Sequence, residues 1–345
     1  SQCMIPHNRI EFSEEYRTLL HQLVDTGRYT QGVHILELEQ KAKDYFGYNN
    51  AIAVSSGSMA LYLALVACKV KAGDKVLIPA YSCSAIRNSI LFTGAEPIAC
   101  DINYDDANID ASDGARLASK HNITVAIAVN TFGYPSNIKV LQDAGLKVIE
   151  DCSHGFDLDH ALRPKVKGDV LVQSLYATKL FGSTELGVIL LNDTNEAAHL
   201  RDMRDGYSLR TAPAGLNMKA TEFSGALGAL RYGNANEILK RRAEIASNYL
   251  SDPLLAGITV GNHPSRTWYR YLISATNAGK LMRFLSGKVE AVRPLTPWPL
   301  ELEKFPSTAR AYQDFVSLPL YPSLTGTEQR RTIDLIKKFY EKHSQ

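Results

Sequence analysis

Between residues 50 and 192 the chain alternates short β-prone apolar runs with stretches of helical apolar spacing, and no other feature narrows its fold as much. The runs at 51–54, 75–79, 97–101, 124–130 and 147–151 are too short for buried helices and rich in Val, Ile and Ala. Helical spacing separates several of them, at 59–68 and around 86–93. Further runs at 170–174 and 187–192 extend the series. Strands alternating with helices predict an α/β fold with a mainly parallel, doubly wound sheet. Such sheets bind ligands where the carboxyl ends of the strands meet the following loops. That rule directs attention to Ser55–Ser58, Asp151 and Ser174, with Lys179 close behind.

The flanks complete the plan. Helical spacing at 10–25 (Leu19, Leu20, Leu23) and 33–46 (Ile35, Leu36, Leu38, Phe46) brackets a glycine-bounded loop at 26–32. From about residue 220 a long helical stretch runs through Leu227, Leu230, Ile238 and Tyr249. Past Pro253 come strand-like pieces at 268–274, the prolines 294, 297 and 299, and a last helix at 328–342. With 345 residues there is room for a large domain and a smaller lobe. The expected division is an N-terminal segment and large domain at 1–240, then a small α+β domain at 241–345.

Bulk properties exclude several classes. Lysine and arginine number 38 against 36 acidic side chains, so there is no electrostatic footprint for a nucleic-acid partner. No apolar stretch approaches the roughly 20 residues that span a bilayer, so no membrane association is expected. The N-terminus also lacks the apolar core of a secretory signal. Five widely spaced cysteines without a CxxC pair suit neither a disulfide framework nor a zinc site. A reduced, cytoplasmic, soluble protein with no bound metal is the expectation.

Three local patterns could carry chemistry. Ser55-Ser-Gly-Ser-Met-Ala60 turns a strand end into a helix start, where backbone N–H groups, the helix dipole and hydroxyls could cradle a phosphate. Read alone, it is more often a plain serine N-cap. Glu150-Asp-Cys-Ser-His154 places two acids at the end of an apolar strand, costly unless a cation faces them. A pyridinium nitrogen would suit Asp151, although an isolated strand-end aspartate is more often a helix cap. Ser174-Leu-Tyr-Ala-Thr-Lys179 offers an amine that could form an imine with an aldehyde cofactor. A lone loop lysine is ordinarily just solvated. Taken in order, phosphate cradle, strand-end acid and Ser-x4-Lys suggest a pyridoxal phosphate site on a doubly wound sheet. The glycine fingerprint of a dinucleotide site is missing.

At these residues the chain resembles the DegT/DnrJ/StrS sugar aminotransferases, a family of fold-type I (aspartate aminotransferase-like) pyridoxal phosphate enzymes. The resemblance begins at Gly27-Arg-Tyr-Thr-Gln-Gly32 and Ala53-Val-Ser-Ser-Gly-Ser-Met-Ala-Leu61. It continues through Gly73-Asp-Lys-Val-Leu-Ile-Pro79, Phe132-Gly-Tyr-Pro135, Glu150-Asp151 and Ser174–Lys179. It closes with Asn217-Met-Lys-Ala-Thr-Glu222 and Ser317-Leu-Pro-Leu-Tyr-Pro322. It implies that Lys179 carries pyridoxal 5′-phosphate as a Schiff base and shuttles the proton during transfer. Asp151 would pair with the pyridine nitrogen. His154 stands where the family usually has Gln, near the ring's phenolic oxygen. Gly57, Ser58, Met59 and Ser174 would hold the phosphate. Asn217 would reach the phosphate of a neighbouring subunit, implying a homodimer with composite sites. The implied reaction moves an amino group from a donor, L-glutamate in this family, to a keto-sugar acceptor on a nucleotide.

Three departures bear on substrate rather than cofactor. Cys83 occupies the position that normally stacks an aromatic ring on the cofactor and offers less polarizable area. Glu185-Leu-Gly187 replaces Glu-Gly-Gly, and Pro297-Trp-Pro299 stands where many members carry a histidine-bearing segment. The competing expectations are a pyridoxal phosphate dehydratase or related reaction on another substrate, and a non-catalytic regulatory protein that binds the cofactor. Dehydrating relatives have histidine in place of the lysine, so Lys179 speaks against that subtype.

Overall fold

The computed structural model describes residues 3–159, 167–207 and 213–343. Its centre is a seven-stranded sheet of order β1-β7-β6-β5-β4-β2-β3. The strands are β1 (Asn50–Val54), β2 (Lys75–Pro79), β3 (Glu96–Cys100), β4 (Val125–Val129), β5 (Lys147–Asp151), β6 (Val170–Ser174) and β7 (Gly187–Leu191). Only β7 runs antiparallel to its neighbours, pairing Ser174 with Gly187 on one side and Val54 with Gly187 on the other. Pro97 is tolerated because β3 lies at the edge. This is the mainly parallel α/β sheet expected from the alternation, and it is consistent with the fold-type I arrangement that the resemblance implies.

Every residue of β1, β4 and β7 is buried, as strands covered on both faces must be. Alternate side chains feed different cores. Ile52, Val54, Ile127, Val129 and Ile189 pack with the helix Gly57–Ala67. Ala51, Ala53, Val188 and Leu190 pack on the other face with residues of the helix Val33–Phe46. Gly57–Ala67 is buried from Ala60 to Ala67, so it is a core helix with its N-terminus left at the sheet's carboxyl edge.

The helix Val33–Phe46 begins without a capping side chain of its own. Glu222 supplies one from far along the chain, accepting the N–H groups of His34 at 3.0 Å and Ile35 at 2.8 Å. A carboxylate there satisfies donors the helix cannot and suits its dipole. Gly32 is required for this contact, since a Cβ would lie 2.0 Å from Glu222 Oε1.

The long helical stretch beyond 220 is two helices, Glu222–Gly233 and Ala235–Leu250, broken at Asn234. A two-stranded antiparallel sheet follows, β8 (Tyr271–Ser274) with β9 (Phe315–Leu318), covered by the final helix Gly326–His343. The strand expected over 268–274 is shorter, because Thr267 turns inward and its N–H bonds Gly133 O at 3.1 Å. Ile5 joins this C-terminal core, and His7 Nε2 meets Ser317 Oγ at 2.9 Å.

Candidate active site

The strands β1, β2, β5 and β6 all deliver their carboxyl ends to one edge of the sheet, and a cavity of about 250 Å³ opens there. Ser56, Gly57, Ser58, Cys83, Asp151, His154, Ser174 and Lys179 line it. Residues scattered over much of the large sheet's sequence therefore meet in one place.

At one wall the helix Gly57–Ala67 presents its first turn. Ser56 caps it, its Oγ accepting the Met59 N–H at 3.2 Å. The cap occupies the Met59 N–H and the Met59 side chain packs against the core, so of the expected phosphate ligands on this turn Gly57 and Ser58 line the cavity. The approach of Ser174 is close enough that a Cβ on Gly57 would lie 2.7 Å from Ser174 Cβ. Gly187 serves the same junction, where a Cβ would lie 2.3 Å from Ser56 O. Free helix N–H groups beside a serine hydroxyl form an anion cradle.

The two acids at the end of β5 part company because successive strand residues face opposite ways. Glu150 accepts from Asn130 Nδ2 at 2.8 Å and from the Gly168 N–H at 2.9 Å, and does not line the cavity. Asp151 lines it and accepts the Ser153 N–H at 2.9 Å. Burial raises the Asp151 pKa, against the hydrogen bonds from Ser153 and the charge of Lys179. A buried carboxylate held this way gains from a cationic partner in the cavity.

His154 Nδ1 accepts the Phe132 N–H at 3.1 Å. The neutral ring therefore carries its proton on Nε2. Burial, reinforced by the cations Lys179 and Arg270, pushes its pKa well below the ordinary range. Phe132 and Tyr269 stack on its two sides, at centroid distances of 5.3 and 4.8 Å. Phe132 adopts φ 55°, a strained conformation for a bulky side chain. Gly133, at φ 98°, approaches Thr267 so closely that a Cβ would meet its carbonyl oxygen at 1.5 Å. The Phe-Gly pair of Phe132-Gly-Tyr-Pro135 is thus what seats His154.

Lys179 stands in the tight turn after β6, its N–H bonded to Tyr176 O at 2.8 Å. Its Nζ lies 5.0 Å from the centroid of the Tyr269 ring. Cys83 begins the helix Ser84–Phe92 and lines the cavity; its thiol is raised first by burial, then by Asp151, with Lys179 opposing. Tyr81 does not replace the missing stacking ring. It is clamped in the core by Phe132, Tyr312 and Phe315, although it is among the lining residues, and its buried hydroxyl has no hydrogen-bond partner among the described residues. Leu186, the departure from Glu-Gly-Gly, is fully buried against Gly228, where a Cβ would lie 2.8 Å from its Cδ2.

From the C-terminal part, Leu295 lines the cavity and Trp298 Nε1 donates to Ala80 O at 3.1 Å. Asn217 is exposed and does not line this cavity; its Oδ1 accepts the Lys219 N–H at 3.1 Å. Sequence reasoning missed Ser153, Thr131, Leu295 and above all Tyr269. The one available signal was Trp268-Tyr-Arg-Tyr271, aromatics interleaved with a cation in an otherwise apolar run.

The residues fit pyridoxal 5′-phosphate. A helix-terminal cradle that tolerates no Cβ at Gly57, a buried carboxylate in need of a cation, and a primary amine share one cavity. No group of His, Cys, Asp and Glu among the described residues could hold a metal ion. No helix among the described residues is long and apolar enough to cross a membrane.

Comparison with known proteins identifies the family and the fold. The model of the DegT/DnrJ/EryC1/StrS aminotransferase family matches residues 11–337. GDP-perosamine synthase of Vibrio cholerae is 24% identical, the match covering 98% of this chain and 99% of that one. The dTDP-3-amino-3,6-dideoxy-alpha-D-galactopyranose transaminase of Aneurinibacillus thermoaerophilus is 23% identical, with 96% of each chain covered. The solved structure of NtdA from Bacillus subtilis with bound cofactor PMP superposes with a TM-score of 0.83 at 23% identity, covering 95% of this chain and 82% of that one.

Proposed function

We propose, from the premise that this chain belongs to the DegT/DnrJ/EryC1/StrS aminotransferase family, that it transfers the amino group of L-glutamate to a nucleotide-linked keto sugar. The product would serve surface-polysaccharide or secondary-metabolite sugar synthesis in the cytoplasm. The observation that carries the reading is the meeting of Lys179, Asp151 and the Gly57–Ser58 turn in one cavity.

Bound pyridoxal phosphate supplies an electron sink that lets a carbon next to nitrogen give up its proton. The rest falls to side chains. The N–H groups at Gly57 and Ser58 and the Ser174 hydroxyl would hold the phosphate. Asp151 would keep the pyridine nitrogen protonated, its own buried charge then being compensated. His154 has an Nε2–H to donate toward the phenolic oxygen. Lys179 holds the cofactor and moves the proton at Nζ.

Two exposed features support a sugar acceptor and a second subunit. Tyr176 and Glu185 are exposed residues in the cavity lining, polar surface suited to a hydroxyl-rich substrate. Val33 and Leu36, one turn apart, are 70% and 65% exposed, and Leu216 beside Asn217 is 63% exposed. Apolar surface of this kind fits a homodimer interface that would carry Asn217 to a partner's cavity.

The test is to add L-glutamate to the cofactor-loaded protein and follow the visible absorbance together with 2-oxoglutarate release. A panel of nucleotide-linked keto sugars is then offered and the products weighed by mass spectrometry. Nitrogen transfer to one of the sugars is expected. Loading from amines but delivery only to non-sugar carbonyls would overturn the acceptor, and loading from no amine would overturn the reaction.

A further inference from the structure

Tyr269 has no part in the reading above, yet its ring lies against the reactive amine. It is 4% exposed, beneath His154 on one side and with Lys179 Nζ over its ring. The neighbouring Arg270 folds back so that its guanidinium lies 4.0 Å from the centroid of the Tyr269 ring and Nη2 donates to the phenol oxygen at 2.9 Å. Arg242 adds positive potential from the helix Ala235–Leu250, donating to Tyr269 O at 3.1 Å. The Thr178 hydroxyl and the neutral His154 imidazole also face the ring, and the rest of it packs in the core with Phe156 and Phe181.

A phenol enclosed by cations is an unusual packing residue. Burial alone raises a tyrosine's pKa, as it does at Tyr45, which is pushed up to about 12. At Tyr269 burial is outweighed by Lys179 and Arg270, with hydrogen bonding from Thr178 and Lys179, and the phenol comes down to about 8. A group titrating near neutrality is suited to take and return a proton.

We propose that Tyr269 is the proton partner of Lys179: its phenolate oxygen takes a proton from Nζ, and its hydroxyl later gives it back, with Arg270 holding the anionic form. An N–H bond breaks as an O–H bond forms, and no electrons change hands. The step rests on the amino-transfer reading only in assigning Lys179 its role. It explains how the lysine is made ready to act on the substrate carbon.

The test compares Tyr269→Phe, Arg270→Gln and the wild type. The phenylalanine keeps the stack on His154 and the ring beneath Lys179, so packing is retained. Ultraviolet difference titration of wild type against Tyr269→Phe should show one phenol ionising near the value of about 8, and Arg270→Gln should move that transition upward. In rapid mixing with L-glutamate, Tyr269→Phe should slow the first half-reaction by at least about 10²-fold and lose the pH dependence near that transition, with donor affinity unchanged. Two results overturn the proposal: no phenol ionising in that range, or a Tyr269→Phe protein with the wild-type rate and pH profile. Should the wild type take nitrogen from no amine, the amino-transfer reading falls, and the difference titration still decides the state of Tyr269.

Discussion

Asp151 shows how a functional group can be a burden to the empty fold. Its carboxyl pKa is raised above the ordinary 3.8, chiefly by burial. An acid whose folded pKa exceeds its unfolded one disfavours folding once the pH rises above the unfolded value, and costs nothing below it. Asp151→Asn, which keeps an acceptor for the Ser153 N–H, should therefore make the cofactor-free protein more stable than the wild type at neutral pH. The advantage should shrink as the pH falls toward the ordinary carboxylate range, as urea midpoints at several pH values would show. The same substitution should cost about 10²-fold or more in amino transfer, because a neutral amide cannot keep the pyridine nitrogen charged. Wild-type activity in Asp151→Asn would place the ring elsewhere. At this scale Ser58, Asp151, Ser174 and Lys179 were legible because each ends a strand or follows one closely, whereas Ser153, Thr131 and Leu295 were missed. Tyr269 was not legible, because only the tertiary fold brings it beneath Lys179.

At the level of elements, the junction of β1, the helix Gly57–Ala67 and β6 is the most demanding. Gly57 has an ordinary backbone conformation, so the constraint is space alone: a Cβ would lie 2.7 Å from Ser174 Cβ. Gly57→Ala must push the helix terminus away from Ser174. Cofactor affinity should fall by about tenfold or more, the loss expected when one charge-assisted hydrogen bond is weakened. Equilibrium dialysis with pyridoxal phosphate checks this, and unchanged affinity would remove the phosphate from that turn. The seven strands of the large sheet were readable as apolar runs to within a residue or two. Their directions were not, since apolarity says nothing of which way β7 runs, and Glu222 as the cap of Val33–Phe46 could not be inferred from residues so far apart.

For the whole molecule, the central question is assembly around the cavity. Val33 and Leu36 are exposed on one helix face, and Asn217 does not line the active-site cavity of its own chain. Leu36→Arg should shift sedimentation from a dimer toward a monomer and lower activity with it; a monomeric wild type would contradict the composite site. The overall α/β plan was evident from the alternation of runs, whereas the joining of Ile5 and His7 to the C-terminal core was hidden because neither residue has a local pattern to mark it. The account as a whole depends on Lys179. Borohydride treatment of the protein loaded with pyridoxal phosphate, followed by peptide mass mapping, tests it most directly. The reduced cofactor should be found on the peptide containing Lys179 and be lost in Lys179→Ala; its recovery on a different lysine, or on none, would contradict the assignment.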